Sequence, residues 1–207
     1  MYKTVIFDID GTLIDSEEAV ISSLQRVLKH HYGRDMERRE LDFIFGIPGS
    51  ESLPRLGIED TETAKRLWNG YMLESLHMIR VFDGIEPLLA ALKERSVAMG
   101  VVTSKTRQEY RDEFAPLGLA HYMDVVVCAD DTERHKPHPE PLLKFLELSG
   151  ADAGSAIYIG DTIYDCECAR DAGVDFGLAL WGCKVPERIP AKYKLAHPTD
   201  ILGLIAP

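Results

Sequence analysis

Beyond residue 97, short apolar runs alternate with stretches of helical spacing. Strands are expected over 97–103, 124–128, 156–160 and 175–180, with helices over 106–117, 141–148 and 163–172. Strands separated by helices in this way imply a parallel sheet covered by helices. A strand over 3–7 has the same character, but the long stretch after it carries no legible strand. There Val20, Leu24, Val27 and Leu28 recur at helical spacing and Asp15 to Glu18 resembles a capping box, which predicts a helix over 16–31. Further helices are expected over 37–45 and 61–78. The breaker-rich Gly46-Ile47-Pro48-Gly49-Ser50 between them reads either as a plain connection or as a surface facing a site.

The chain is therefore expected to leave the sheet near Leu13, build a helical unit and return near Phe82-Asp83-Gly84. The expected fold class is α/β: a doubly wound parallel sheet formed by residues 1–14 and 82–207, with a small inserted helical domain over 15–81. The two crossings would form a hinge. A closing strand over 193–196 and a short helix after Pro198 complete the expectation, and no internal repeat or low-complexity tract is present.

Composition narrows the function classes. At 207 residues, with 45% hydrophobic and 28% charged residues, the chain can bury a real core. A formal net charge of -11 argues against non-specific binding to nucleic acid or anionic membranes, so an anionic substrate needs a local positive site. No apolar run approaches the length of a membrane span, and an early catalytic candidate leaves no room for a signal peptide, so a cytoplasmic protein is expected. Cys128, Cys166, Cys168 and Cys183 form no regular framework, which makes reduced thiols the expectation. The lone Cys166-Glu167-Cys168 lacks the four ligands of a zinc site.

Four polar clusters fall at or just after predicted strands, where open α/β sheets bind ligands. Asp8 and Asp10 lie two apart at the end of an extended run, can point into one cavity, and are followed by Gly11, which permits backbone angles closed to other residues. Thr103, Ser104 and Lys105 stand where hydroxyls, exposed N–H groups and a helix dipole favour an anion, although an ordinary N-cap fits them too. Lys136 sits in His135-Lys136-Pro137-His138-Pro139-Glu140-Pro141, whose prolines form a rigid bracket able to aim a charge at phosphate. Asp161 and Asp165 follow the strand over 156–160 at the turn into a helix, where either also fits as a helix cap. If the four acids converge, each close pair would cost roughly 4 kcal/mol at ~4 Å with an effective dielectric of about 20. A cation is the remedy, and all-oxygen ligation suits Mg²⁺.

Through Asp8-Ile9-Asp10-Gly11-Thr12, Thr103-Ser104, Lys136-Pro137 and Gly160-Asp161 to Asp165, in that order, the chain resembles the haloacid dehalogenase superfamily. The helical insert resembles the small cap of its phosphoglycolate phosphatase and β-phosphoglucomutase branch. The resemblance implies that Asp8 is a nucleophile forming an aspartyl-phosphate and that Asp10 is the general acid/base. It implies that Thr103, Ser104 and Lys136 hold the substrate phosphoryl group. Mg²⁺ would be bound by Asp8, the Asp10 carbonyl and Asp161, with Asp165 a further metal-site or water-orienting acid. The implied activity is a Mg²⁺-dependent phosphatase acting on a small phosphate ester, phosphoglycolate first, as a monomer or homodimer.

A phosphosugar mutase and a pyrophosphatase would use the same apparatus. Asp10 and the acid-rich fourth cluster favour phosphate chemistry over dehalogenation. A non-enzymatic phospho-acceptor would place its acids differently and lack a cap of this size. Arg55 reads either as a contact for a second anion or as a solvated helix charge. Two departures from the family pattern stand out: Phe82-Asp83-Gly84 where relatives often carry Tyr-Pro-Gly, and His135 where a glycine often precedes the lysine.

Overall fold

The computed structural model describes residues 1–205. Strand β1 (Thr4–Phe7) is buried along its whole length. After a tight turn come β2 (Ile14–Asp15), α1 (Glu17–Tyr32), α2 (Arg38–Leu41) with a 3₁₀ extension over Asp42–Ile44, α3 (Gly49–Arg55) and α4 (Thr61–Ser75) with a 3₁₀ extension over Leu76–Met78. Strand β3 (Arg80–Val81) returns antiparallel to β2, pairing Ile14 with Val81 and Asp15 with Arg80. Then follow α5 (Ile85–Glu94), β4 (Ala98–Val102) and α6 (Arg107–Glu109), which continues as a π-helix over Tyr110–Phe114 and a 3₁₀ turn over Ala115–Leu117. The chain closes with β5 (Val125–Val127), α7 (Glu140–Ser149), β6 (Ala156–Gly160), α8 (Ile163–Ala172), β7 (Asp175–Ala179), β8 (Tyr193–Leu195) and a 3₁₀ segment over Pro198–Leu204.

The six long-range strands form one parallel sheet in the order β5-β4-β1-β6-β7-β8. Side-chain alternation splits the core into two layers. Val5, Phe7, Met99, Val101, Ile157 and Ile159 meet α5 and the π-helical segment through Leu88, Leu89, Leu92 and Phe114. Ile6, Val102 and Tyr158 face the other way, toward Leu142 and Phe145 of α7 and Cys168 and Ala169 of α8. Gly100 makes that second layer possible, since a Cβ there would lie 2.3 Å from the Phe145 ring. A third cluster, including Ile21, Leu24, Leu28, Leu41, Leu53 and Ile58, lies wholly within the stretch between β1 and β3.

The strand order decides where chemistry can occur. β1 has β4 on one side and β6 on the other, with Phe7 level with both Val101 and Ile159, so their carboxyl ends form one edge. Chain direction across the sheet reverses at β1, and such a switch point opens the crevice in which α/β sheets bind ligands.

Four elements escaped the sequence pattern. β2 and β3 have two residues each, too few for any alternation to register, and exist through mutual pairing. α3 grows out of the breaker-rich loop, with Pro48 as its N-cap and Pro54 in its interior. α5 buries Ile85, Leu88, Leu89 and Leu92 on one face. The expected capping box at Asp15 to Glu18 does not form: Ser16 occupies the N-cap position of α1 without capping it, because its hydroxyl donates to Asp10 instead. Glu17 and Glu18 still place negative charge at the positive end of the helix.

Candidate active site

Asp8 continues β1 past the sheet edge and is 3% exposed. Its Oδ1 accepts a hydrogen bond from Lys136 Nζ at 2.8 Å. The same ammonium donates to Asp165 Oδ1 at 2.7 Å and to the Tyr158 hydroxyl at 3.2 Å, so its three protons have three acceptors. Burial alone would pull the Lys136 ammonium down, but Asp165 and Asp8 outweigh it and hold it well above its ordinary value. Lys136 is therefore a fixed positive charge, 1% exposed, delivered by the loop into α7.

Asp165 has two structural duties at once. It completes a capping box with Thr162 at the start of α8, its Oδ2 accepting from the Thr162 N–H at 3.0 Å and from the Thr162 hydroxyl at 2.5 Å. Its Oδ1 takes Lys136, and Tyr158 Oη lies 2.9 Å away. A carboxylate offers about four acceptor sites; Thr162 and Lys136 engage three, and the single Tyr158 proton is shared between Asp165 and the Val102 carbonyl, each 2.9 Å away. Gly160 allows this closeness, since a Cβ there would sit 2.6 Å from that of Asp165.

Asp161, at the mouth of β6, accepts from the Thr12 hydroxyl at 3.3 Å. Burial, then the neighbouring charges of Asp165 and Asp8, push its carboxyl well above the usual range. Burial likewise raises Asp8, to about 7, against the opposing pull of Lys136. Oxygens of Asp8, Asp161 and Asp165 lie within 4.8 Å of one another. Two of these three buried acids, Asp8 and Asp165, share Lys136, while Asp161 has no cation in contact among the described residues, and hard oxygen donors crowded in this way fit a small divalent cation. Gly11, at φ +78°, gives Asp161 its room, because a Cβ there would lie 2.3 Å from Asp161 Oδ2.

The Asp10 side chain lies outside that cluster. Its Oδ1 is 3.0 Å from Lys105 Nζ and accepts from the Ser16 hydroxyl at the entrance of α1. Lys105 also pairs with Glu113, which the π-helical segment buries to 6% exposure. Burial opposes the Lys105 charge, and Asp10 and Glu113 together hold it above its ordinary value. Each aspartate at the end of β1 thus has its own buried lysine, and each lysine has a second acid behind it.

The Thr103 turn differs from expectation. The helix that follows begins at Arg107, after an N-cap at Thr106, so Thr103 to Lys105 precede its N-terminus. Its first donors are already engaged: Thr106 N–H with Glu109 at 2.7 Å and Arg107 N–H with Asp130 at 2.9 Å. The Thr103 hydroxyl accepts from the Lys105 N–H at 3.2 Å, and Ser104 Oγ donates across the cleft to the Gly46 carbonyl at 2.9 Å. The breaker loop therefore faces the site, the second of its two readings.

A cleft of about 90 Å³ lies between the sheet edge and the helical insert. Asp8, Asp10, Ser104, Lys105 and Lys136 form its floor, and Gly46, Pro48, Gly49 and one side of α4 its roof. Beside it, a cavity of about 260 Å³ with aromatic walls reaches Asp10 and Asp161 from the other flank. His135 contributes to neither; it borders an open depression with His138, Glu167 and Asp171, its Nδ1 unpartnered. Sequence pattern misses Glu113 and Tyr158, and it notes Lys105 and Thr12 within their clusters but gives them no role of their own.

Residues 5–179, from β1 to the end of β7, match the haloacid dehalogenase-like hydrolase family. The chain belongs to that family. Its relatives in this haloacid dehalogenase-like group include the pyrophosphatase PpaX of Bacillus mycoides, 30% identical over 99% of this chain and 97% of that protein. A Lactobacillus plantarum crystal structure, provisionally assigned as a phosphoglycolate phosphatase, superposes with a TM-score of 0.91 at 31% identity, covering 99% of this chain and 100% of the other. A Thermotoga maritima structure with a provisional β-phosphoglucomutase name follows at TM-score 0.77 and 26% identity, covering 99% and 98%. The haloacid dehalogenase-like chain is a hydrolase on an α/β, Rossmann-like core. Among the described residues no helix is long and apolar enough to cross a membrane, and all four cysteines are free.

Proposed function

We propose that this hydrolase is a Mg²⁺-dependent phosphatase of small phosphate esters that works through an aspartyl-phosphate on Asp8. The observation that carries the reading is the partition of two neighbouring acids. Asp8 lies with Lys136 in the cluster of buried carboxylates, whereas Asp10 is held apart on Lys105 and Ser16. On this reading Asp8 is the acid that attacks and Asp10 the one that exchanges a proton.

Mg²⁺ would be held by the carboxylates of Asp8 and Asp161, with the Asp10 carbonyl as the family resemblance implies. When bound it would neutralise charge on the transferring phosphoryl group. A carboxylate oxygen of Asp8 attacks phosphorus, forming the acyl-phosphate bond as the ester P–O bond breaks. Asp10 gives its proton to the departing oxygen, then takes one from the water that attacks the acyl-phosphate, which returns Asp8 and releases phosphate. Lys136 holds Asp8 and offers positive charge to the phosphoryl oxygens. Asp165 fixes Lys136 by salt bridge while anchored in the capping box of α8. Thr103 shapes the turn that presents Ser104 and Lys105 to the cleft.

The helical insert, residues 15–81, serves as a cap over a core of 1–14 and 82–207, with β2 and β3 as the paired crossings. A cleft of about 90 Å³ is far below the ~300 Å³ at which pockets for drug-sized ligands begin. That favours phosphoglycolate or pyrophosphate over a phosphosugar, and the full-length likeness to proteins named pyrophosphatase supports the second of these equally. A panel of phosphoglycolate, pyrophosphate, hexose phosphates and nucleotides, assayed with Mg²⁺ and with chelator, tests the reading. Metal-dependent release of phosphate from the two small substrates is expected, and preference for a hexose phosphate would overturn the size argument.

A further inference from the structure

Lys65, Trp68, Asn69 and Met72 recur at helical spacing along α4 and together line the roof of the cleft. Lys65 is the cation on that stripe. The cleft holds two other lysines, and each is already balanced by two acids: Lys136 by the buried Asp8 and Asp165, Lys105 by the half-buried Asp10 and the buried Glu113. Lys65 is different. Its salt-bridge partner is Glu62, one turn back on the same helix at 2.6 Å, with a side chain 82% exposed. A solvated pair of this kind holds its partner weakly, so Lys65 is free to exchange it for an anion in the cleft.

The surroundings fix where that exchange occurs. The Lys65 side chain is 26% exposed, and its stem lies against the loop at Gly49, where a Cβ would stand 3.6 Å from Lys65 Cγ and 3.5 Å from the Trp68 ring. Lys65 therefore lines the same cleft as Asp8, with its stem walled by Gly49 and its ammonium held only by an exposed acid. A leaving group short enough for this cleft would bring its far end to that roof. Arg55, the cap cation that sequence pattern offered for a second anion, is exposed at the end of α3 and does not line the cleft.

We propose that Lys65 is the specificity-determining residue of this enzyme, reading a second anionic group, carboxylate or phosphate, on the leaving-group side of a short phosphate substrate. The inference rests on the phosphatase reading above. Lys136 and Lys105 serve the chemistry, and Lys65 selects for the extra charge.

The test compares phosphoglycolate and pyrophosphate with ethyl phosphate, which is similar in length but has no second anion. Lys65→Met keeps the apolar stem against Gly49 and Trp68 while removing the charge. Its kcat/KM is expected to fall about 30-fold on the two doubly anionic substrates, mainly through KM, as loss of a charged hydrogen bond predicts. Ethyl phosphate should change by less than about twofold, and Lys65→Arg should recover most of the loss, because the charge is restored. Equal losses on all three substrates, or none on any, would overturn the assignment while leaving the phosphatase reading intact. A wild-type enzyme that hydrolyses none of the three with Mg²⁺ would overturn both, before any variant is made.

Discussion

The Lys136 ammonium and the Asp8 carboxylate meet across 2.8 Å with side chains only 1% and 4% exposed. Asp165 completes the contact from the other side at 2.7 Å. Removing the lysine leaves two buried acids without their shared cation, and breaking such an arrangement from one side costs about 3–5 kcal/mol. Lys136→Met is expected to lose activity by about three orders of magnitude or more and to unfold at markedly lower urea. Denaturation at neutral pH, beside a turnover assay, checks both.

Asp8→Asn is expected to abolish turnover while keeping the fold, since Lys136 retains Asp165. Near wild-type Mg²⁺-dependent activity would remove Asp8 as nucleophile. The same variant reads out a pH effect in metal-free protein. Burial raises the folded-state carboxyl to about 7 from an ordinary 3.8, so the folded chain holds this proton more tightly than the unfolded one. The resulting stability is fully present below the unfolded value and is lost as pH rises through the folded one. With chelator present, the melting temperature of wild type should therefore decline more between pH 4 and 8 than that of Asp8→Asn. Parallel curves would count against the raised carboxyl.

For Asp10→Ala a severe loss is expected with alkyl phosphates, about 10² to 10⁴-fold, because their leaving oxygen needs a proton. An activated aryl phosphate should suffer far less. The ratio of the two losses is the informative number, and a ratio near one would mean that Asp10 does not act as the acid.

Gly11→Ala tests the acid cluster without touching an acid. The new Cβ would stand 2.3 Å from Asp161 Oδ2 on a backbone held at φ +78°. Both the strained conformation and the displaced carboxylate act in one direction, with at least about 1 kcal/mol from the backbone alone. Calorimetric titration with Mg²⁺ should show weaker binding than wild type, and unchanged affinity would argue that Asp161 does not hold the metal.

Much of this was legible in the chain itself. Asp8, Asp10, Thr103, Ser104, Lys136, Asp161 and Asp165 stand out in the chain as candidates because strand ends and turns are written locally, in apolar runs that stop at polar residues and glycine. The parallel α/β class followed from the alternation of strands and helices for the same reason. Local pattern misjudged α3, hidden among glycines and prolines, and the start of α1, where the Ser16 hydroxyl donates to Asp10, six residues earlier, rather than capping its own helix.

Partnership is what only the tertiary structure decided. Lys136 and Asp8 are 128 residues apart, and nothing in either segment states that this lysine serves that acid while Lys105 serves Asp10. The burial of Glu113, the double duty of Asp165 and the placement of Lys65 in the roof of the cleft likewise arise only when separate elements converge. Chain pattern specifies which residues can carry charge at a strand end. The dielectric around each charge, and so its role, is set by which other segments exclude water from it.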